Sequence, residues 1–294
     1  IAFGSKKDLL DGVNILFIPI LNVDGHERVS EFNRINQRGP QNMGWRTNAR
    51  NLNLNRDYSK LDTEEIRAVV DVMNRFAPDL YLDLHVTDGA DYQYDITYGF
   101  SESSSPAIAS WLKTSLSPKV DAHLKNFGHI PGPLIFAGNG RDFQDGIVEF
   151  SSSARFSNDY GHIRHIPSIL VENHSLKPFR QRVLGTYVFL GGGIRALQKE
   201  GGSLKKAIAA DSESRSSEVV LTWKQAETPD TITFQGIRSS RKPSKVTGKD
   251  FVEWTGQPET SKVLVFRNNV PDKKVTRPRA YWIPSTYPDI IRRI

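Results

Sequence analysis

The chain has 294 residues, 24% of them charged and 38% hydrophobic, which is ordinary for a globular protein with one substantial core and room for a second small module. It has no cysteine, so disulfides and thiolate metal sites are excluded, and no apolar stretch is long enough for a membrane helix. The net charge of +6 and the pI of about 9.4 favour anionic partners such as acidic peptides or cell-wall polymers.

Three short apolar runs predict buried strands that end in polar residues. The first is 13–21 (VNILFIPIL), which leads into a polar turn. In the second, 79–85 (DLYLDLH), leucines alternate with polar residues, so that His85 lies on the polar face at the end of the strand. The third, 166–172 (IPSILVE), ends in Glu172. Because open α/β sheets form their binding sites at the carboxyl ends of strands, these two polar residues predict a site there.

Helices are predicted around these runs. One begins after Asp62 and ends near Pro78. Its apolar stripe, at three- and four-residue spacing, consists of Ile66, Val69, Val70 and Met73. Two more helices are predicted over residues 105–124 and 178–197. Such stripes are typical of helix faces that pack on a sheet, so the chain is predicted to have an α/β fold with a mixed central sheet flanked by helices.

The composition changes after residue 200. Residues 1–200 are predicted to form one domain, and the small and polar residues of 201–217 (GGSLKKAIAADSESRSS) a linker. Residues 218–294 predict a small β-rich C-terminal region, because short apolar runs alternate with Gly, Pro and Lys turns. The strands predicted there are 219–223, 231–237, 251–254 and 262–267. An adhesion module for carbohydrate or the cell envelope is one interpretation of this region.

The most informative segment is 46–58 (RTNARNLNLNRDY). Asn53 and Asn55 alternate with leucines, which predicts a strand with its amides on one face and Arg56 at its end. A guanidinium beside amides suits a carboxylate, which it binds through two parallel hydrogen bonds. Such a charge-assisted bond contributes about 1.5–3 kcal/mol, enough to select ligands with a free carboxylate. For this segment alone, a polar strand edge with a surface salt bridge is the alternative.

Four segments together resemble the zinc metallocarboxypeptidases of the carboxypeptidase A and B superfamily, in particular its bacterial branches. Their order and spacing agree with the family over roughly residues 13–197. One such segment alone would be a weak signal, whereas four in order make the resemblance specific. The segments are IPILNVDGHER (18–28), RTNARNLNLNRDY (46–58), DLHVTDG (83–89) and SILVENHSLKPF (168–179).

The resemblance implies how hydrolysis would proceed. His85 would be one of the ligands of a single zinc ion, and Glu172 would be the general base that takes a proton from the zinc-bound water. The same glutamate would then pass the proton to the leaving amine. In this interpretation residues 1–200 are a carboxypeptidase-like catalytic domain.

The resemblance also implies how the substrate would be recognised. Asn55 and Arg56 would bind the terminal carboxylate of the substrate, and Tyr160 aligns with an aromatic residue of the segment before the catalytic glutamate. Arg46 would stabilise the oxyanion of the tetrahedral intermediate. The arginines weighed as alternatives for that role are Arg34 and Arg38.

The sequence departs from the family pattern at the metal site. The family's first two zinc ligands come from a His-x-x-Glu motif upstream of the third, and its absence here is interpreted as truncation of the N-terminal part of the domain. Because a catalytic zinc needs three protein ligands, the chain alone is expected to hold zinc weakly or not at all, and could be inactive. The pairs His85-x-x-Asp88 and His162-x-x-His165 lack a third ligand. Asn53 stands where the family has an aspartate that orients a zinc-binding histidine.

The sequence therefore predicts a zinc-dependent metallocarboxypeptidase that acts on peptides with a free C-terminal carboxylate. Two alternatives stay open: a hydrolase of murein peptides or N-acyl amino acids with the same fold, and a metal-free module that binds peptide carboxylates. Nucleic acid is not predicted as a partner, because basic and aromatic residues are not interleaved. A bacterial periplasmic or secreted location is predicted, with the cytoplasm left open, and the oligomeric state is not indicated.

Overall fold

The computed structural model describes residues 5–101, 105–139, 142–149 and 153–293. The α-helices of these residues are α1 (Val23–Glu27), α2 (Glu64–Phe76), α3 (Pro106–Trp111), α4 (Ser117–Asn126), α5 (Ser157–Ile163), α6 (Phe179–Glu213) and α7 (Pro288–Arg293). Shorter helical turns are the 3₁₀ turns Lys7–Leu10 and Leu54–Arg56 and the π-helical turn Leu112–Leu116. The strands are β1 (Tyr81–Val86), β2 (Ile96–Gly99), β3 (Pro131–Pro133), β4 (Ala137–Asn139), β5 (Asp142–Val148), β6 (Ser168–Asn173), β7 (Glu218–Val220), β8 (Trp223–Lys224), β9 (Asp230–Pro243), β10 (Asp250–Phe266), β11 (Val270–Pro271) and β12 (Lys274–Thr276).

The central sheet has the strand order β1-β6-β2-β3 and is mixed. β1 runs parallel to β6, β2 is antiparallel to β6, and β3 is parallel to β2. The alternation along β1 turns Leu82 toward the apolar core, so Asp83 and His85 lie on the opposite face. Helices pack on the sheet, which confirms the predicted α/β fold with a mixed central sheet.

The main core lies between one face of this sheet and the helices α3, α4 and α6. Each fully buried aliphatic or aromatic side chain in it contributes about 1.5–3 kcal/mol relative to an exposed one. α6 approaches the sheet closely because residue 185 is glycine, where a Cβ would lie 3.0 Å from the side chain of Ile96. The core residues with no exposed surface include Ile96, Ile108, Leu124, Ile169, Val171 and Phe189.

A second apolar cluster forms around α2. This helix spans Glu64–Phe76, and the Oγ1 atom of Thr63 accepts a hydrogen bond from the Ile66 N–H at its start. The predicted stripe is buried as expected and consists of Ile66, Val69, Val70 and Met73. The helix therefore confirms the prediction made from the three- and four-residue spacing.

Residues 13–21, predicted as a buried strand, form no strand, and most of their apolar side chains are exposed. Phe17 is 71% exposed and Leu16 is 52% exposed. An apolar run becomes a buried strand only where a neighbouring strand accepts its backbone hydrogen bonds, and none of the described strands pairs with this run. The prediction of a strand here is wrong.

α6 is longer than the predicted helix 178–197. It continues through residues 201–213, whose composition predicts a linker. Leu204 is fully buried in the main core, and the Asp211 carboxylate lies 2.6 Å from the Nδ1 atom of His165. These two contacts hold the small and polar residues in a helix. No described helix, not even the 35-residue α6, is long and apolar enough to cross a membrane.

The β-rich C-terminal region is present, and its two longest strands join a sheet with the preceding part of the chain. The strand order of this second sheet is β4-β5-β10-β9. β9 and β10 form an antiparallel hairpin, and β10 pairs in parallel with β5 through Val265 and Phe266. A register shift between Trp254 and Pro258 lets residues that predict two strands form the single strand β10.

Candidate active site

His85 and Glu172 are neighbours at the carboxyl ends of two parallel strands. They are partners in the register of β1 and β6, and partner residues send their side chains to the same face of a sheet. That face is opposite the main core, where Val171 is fully buried. The structure thus brings together His85 and Glu172, the two polar residues from which the sequence predicts a site at the strand ends.

The His85 ring is held by a hydrogen-bond network on its Nε2 side. Nε2 lies 2.8 Å from Asp83 Oδ2 and 3.5 Å from Asn55 Nδ2. Ser157 Oγ donates a short hydrogen bond to the same Asp83 oxygen, and the Ser157 N–H donates to Asn55 Oδ1 at 3.1 Å. Because Asp83 engages Nε2, Nδ1 is the ring nitrogen left for another partner.

Neighbouring charges and burial set the protonation of this pair. Burial lowers the pKa of His85, but Asp83, with Glu172, outweighs burial and raises the pKa to about 9. Burial raises the pKa of Glu172 to about 7; His85 and Arg46 oppose this effect, and Asp88 adds to it. Glu172 is 8% exposed, and its Oε2 atom has no hydrogen-bond partner among the described residues. Burying a polar atom without a hydrogen-bond partner costs free energy, so this oxygen marks a position where a bound group can donate a hydrogen bond.

Arg46 faces the pair from the segment before the 3₁₀ turn. Its charge acts on both His85 and Glu172. An adjoining cleft of about 620 Å³ is lined by Arg46 together with Arg34 and Asp88. The other lining residues are Asn33, Asn36, Trp45, Thr47 and Asn51, so most of the lining residues are of polar type. Arg38, the other alternative for the oxyanion role, is not among the residues that line it.

Asn55 and Arg56 lie in the 3₁₀ turn Leu54–Arg56 and not in the predicted strand. Just upstream, the Asn48 side chain accepts hydrogen bonds from two backbone N–H groups, and Asn51 has a positive φ of 58°. Such local side-chain contacts to the backbone compete with strand formation, which is why the alternation misleads here. The turn still brings Asn55 to the imidazole.

The Arg56 guanidinium packs over an aromatic ring beside this turn. Its Cζ atom lies 4.5 Å from the centroid of Phe156, and Arg155 lies over the same ring at 4.9 Å. Burial lowers the pKa of Arg56, and the charges of Arg46 and Arg155 lower it further, whereas Asp88 opposes them. Arg56 therefore sits in a surplus of positive charge.

Tyr160 contacts a different group of residues. It belongs to α5, its ring centroid is 5.6 Å from that of Tyr58, and its hydroxyl accepts a hydrogen bond from Arg164 at 3.0 Å. It packs at the edge of the cluster around α2. Apolar packing thus holds Tyr160 there, and none of its contacts joins it to His85 or Glu172.

Sequence reasoning gave no role in the site to Asp83, Arg155 or Ser157, and it named Asp88 only as a possible metal partner of His85. Asp83 precedes His85 by two positions, so the period of a strand already places both on one face. Asp88 follows in the same segment. Arg155 and Ser157 belong to no motif, and the contact of Ser157 with Asn55 joins residues 102 positions apart. Only the fold brings this pair together.

The described residues do not complete a zinc site. No group of three or more His, Cys, Asp or Glu side chains among them could hold a metal ion. His162 and His165 are engaged elsewhere, because His162 Nε2 lies 3.0 Å from the Ser168 carbonyl and His165 contacts Asp211. His85 fits one ligand position, with Nδ1 available and Asp83 on the other nitrogen, but three protein ligands are needed.

The chain is similar to one solved structure and matches one family profile. A solved metallo-carboxypeptidase from Pseudomonas aeruginosa, in complex with (2-guanidinoethylmercapto)succinic acid, is similar at 18% sequence identity and a TM-score of 0.38. The match covers 55% of this chain and 42% of that chain, so this chain spans less than half of the solved protein. No curated protein sequence shows significant similarity. The sequence profile described as Zinc carboxypeptidase matches residues 4–158, more than half of the chain, and the chain therefore belongs to the zinc carboxypeptidase family.

Proposed function

We propose that this chain carries the substrate-binding and proton-transfer residues of a metallocarboxypeptidase that removes the C-terminal residue of peptides. The observation that carries the proposal is the register of His85 with Glu172 at adjacent strand ends. The charge of Arg46 reaches both of them and also Arg56. A general base, together with guanidiniums that can bind a carboxylate and a developing oxyanion, can serve the hydrolysis of a C-terminal peptide bond.

In this proposal Arg56 and Asn55 bind the terminal carboxylate of the peptide. Arg56 is held over the Phe156 ring, and Asn55 is fixed by the Ser157 N–H, so both lose little freedom on binding. A guanidinium can hold a carboxylate through two parallel hydrogen bonds. The terminal carboxylate would therefore position the last peptide bond beside Arg46.

Arg46 then stabilises the negative charge that develops on the scissile carbonyl oxygen, and Glu172 accepts the proton of the attacking water. A general base works best when its pKa is close to the working pH, and burial raises the pKa of Glu172 to about 7. Protonated Glu172 would return the proton to the leaving amine. Its unpartnered Oε2 atom supports a role toward water or substrate.

Zinc belongs to this proposal through the family, and His85 Nδ1 would be one ligand. When bound in a complete site, zinc polarises water and the carbonyl. Since the described residues do not complete the ligand set, we derive no step through the metal. The same observation supports a second candidate function, a metal-free module that binds peptide carboxylates. Peptide hydrolysis assayed with added zinc separates the two candidates, because the module binds the same peptides and does not cleave them.

Calorimetric binding of N-acetyl dipeptides with free or amidated C-termini tests carboxylate capture without turnover. Arg56→Gln should weaken binding of the free acid by about tenfold or more and leave the amide unaffected. Arg50→Gln is the matched control, since Arg50 is exposed, lies 4.0 Å from Glu64 and is not among the residues that line the cleft. An equal loss for acid and amide would argue against a role of Arg56 in carboxylate capture.

A further inference from the structure

Four arginines surround the proposed site, and the proposed function uses two of them. Arg56 is proposed for the terminal carboxylate, and Arg46 for the carbonyl oxygen. Arg34 lines the polar cleft together with Arg46 and Asp88. Arg155 stacks with Arg56 on one phenylalanine ring, at 4.9 Å and 4.5 Å from its centroid. Two guanidiniums of the group therefore have no assigned ligand.

The four charges form a row. Arg155 and Arg56 lie over the same Phe156 ring, and Arg46 and Arg34 line the same cleft. The charge of Arg46 also acts on Arg56, which joins the two pairs in the order Arg155, Arg56, Arg46, Arg34. Within the described parts of the chain, none of the four forms an ion pair with a carboxylate within 4.0 Å. Asp88 acts on Arg34 and Arg56 only from a greater distance. The row therefore lies without close counterions.

Asp88 supplies one negative charge near this row, and Glu172 is protonated when the oxyanion forms, so the four guanidiniums still carry more positive charge than Asp88, one terminal carboxylate and one oxyanion neutralise. Arg34 and Arg56 are partly buried, so their mutual repulsion with Arg46 is screened less than on an open surface. Guanidiniums in this situation gain from bidentate carboxylates. One unassigned arginine lies at each end of the row, which calls for one further anionic group on each side.

We propose that the site takes peptides whose last two residues are both acidic. Arg155 binds the side-chain carboxylate of the C-terminal residue, and Arg34 binds that of the residue before it. This assignment rests on the proposed function, in which Arg56 holds the terminal carboxylate and Arg46 faces the scissile carbonyl. In that orientation the leaving residue lies on the Arg56 side, next to Arg155, and the remaining residue extends toward Arg34 in the polar cleft.

Binding to the zinc-free full chain tests the proposal, because peptides are then measured without cleavage. Four N-acetyl dipeptides, Gln-Gln, Glu-Gln, Gln-Glu and Glu-Glu, are titrated calorimetrically. Each glutamate should lower the Kd by about tenfold or more. Arg34→Gln should abolish the gain from the first glutamate, and Arg155→Gln the gain from the second. Arg50→Gln, which removes one exposed positive charge elsewhere, should leave all four Kd values unchanged.

Equal Kd values for the four peptides overturn the proposal. An affinity gain from glutamate that survives in both Arg34→Gln and Arg155→Gln overturns it as well. An equal loss of affinity in these two variants and in Arg50→Gln also overturns it, because it would indicate a general charge effect. The amidated Gln-Gln peptide tests the proposed function independently of the preference for acidic residues. Tighter binding of the free acid than of the amide supports carboxylate capture even if the acidic preference is absent.

Discussion

Glu172 lies opposite His85 in the register of two parallel strands, so a buried carboxylate and an imidazole share one face of the central sheet. The backbone ladder fixes their relative position, and Asp83 fixes the orientation of the ring. Strands place side chains more precisely than loops do, which favours a site that is formed before substrate binds.

Replacing Glu172 with glutamine should remove the base and keep the shape of the side chain. In a form of the enzyme whose zinc ligand set is complete, we expect kcat to fall by about 10²–10⁴-fold, the usual contribution of a general base, with unchanged zinc content. The measurements are peptide hydrolysis and metal analysis. Glu200→Gln is the matched control, because Glu200 is paired with Lys119 at 3.0 Å on another surface and should keep full activity. Full turnover in Glu172→Gln would reject the assignment of the base.

Replacing Asp83 with asparagine should lower the pKa of His85. Burial already lowers this pKa, and the charge of Asp83 is the main effect that raises it to about 9. Without that charge the imidazole should titrate well below pH 9, as followed by NMR of the imidazole nitrogens in the zinc-free chain. Asp71→Asn, which changes an exposed carboxylate on α2, should not move the titration. A midpoint still near 9 in the Asp83 variant would contradict the role of Asp83.

The chain should bind zinc weakly, because the described residues supply one fitting ligand instead of three. After incubation with zinc and dialysis, metal analysis should find far less than a stoichiometric ion. His85→Ala should abolish the weak binding that remains, whereas His26→Ala, at an exposed position, should not. Tight stoichiometric zinc in the dialysed wild-type chain would show that the ligand set is complete.

Acid should destabilise the chain through His162. Burial lowers its pKa in the folded state to about 4, from 6.5, so the unfolded state binds the proton more strongly. The stability contributed by neutral His162 is therefore fully present above pH 6.5 and is lost as the pH falls toward 4. The loss amounts to roughly 3 kcal/mol at most. Urea unfolding at a series of pH values should show a shallower decline for His162→Gln, and an unchanged decline would refute this explanation. His26→Gln, at an exposed histidine, is the control.

The parts of the site that lie on regular elements could be predicted from the sequence. A period of two in residues 79–85 already separates His85 from the core, and Glu172 ends a run that is apolar enough to be buried. The helical stripe of α2 was equally informative, because burial of its four apolar residues follows from their spacing. Local periodicity determines these features.

Other features depend on contacts that periodicity does not contain. The turn at Leu54–Arg56 follows from hydrogen bonds of the Asn48 side chain to the backbone, and these compete with the strand that the alternation indicates. The position of Tyr160 depends on its packing against Tyr58. Ser157 reaches the site only because α5 packs beside β1.

The pairing of β10 with β5 decides how this protein can be shortened. A fragment that ends before residue 218 would lose the strand that covers one side of β5, and Phe143 and Ile147 would lose their apolar neighbours Phe234 and Val265. An unpaired sheet edge beside newly exposed aromatic side chains pairs with strands of other molecules, which leads to aggregation. Trimming the chain at that point would therefore yield insoluble material and not a smaller folded protein.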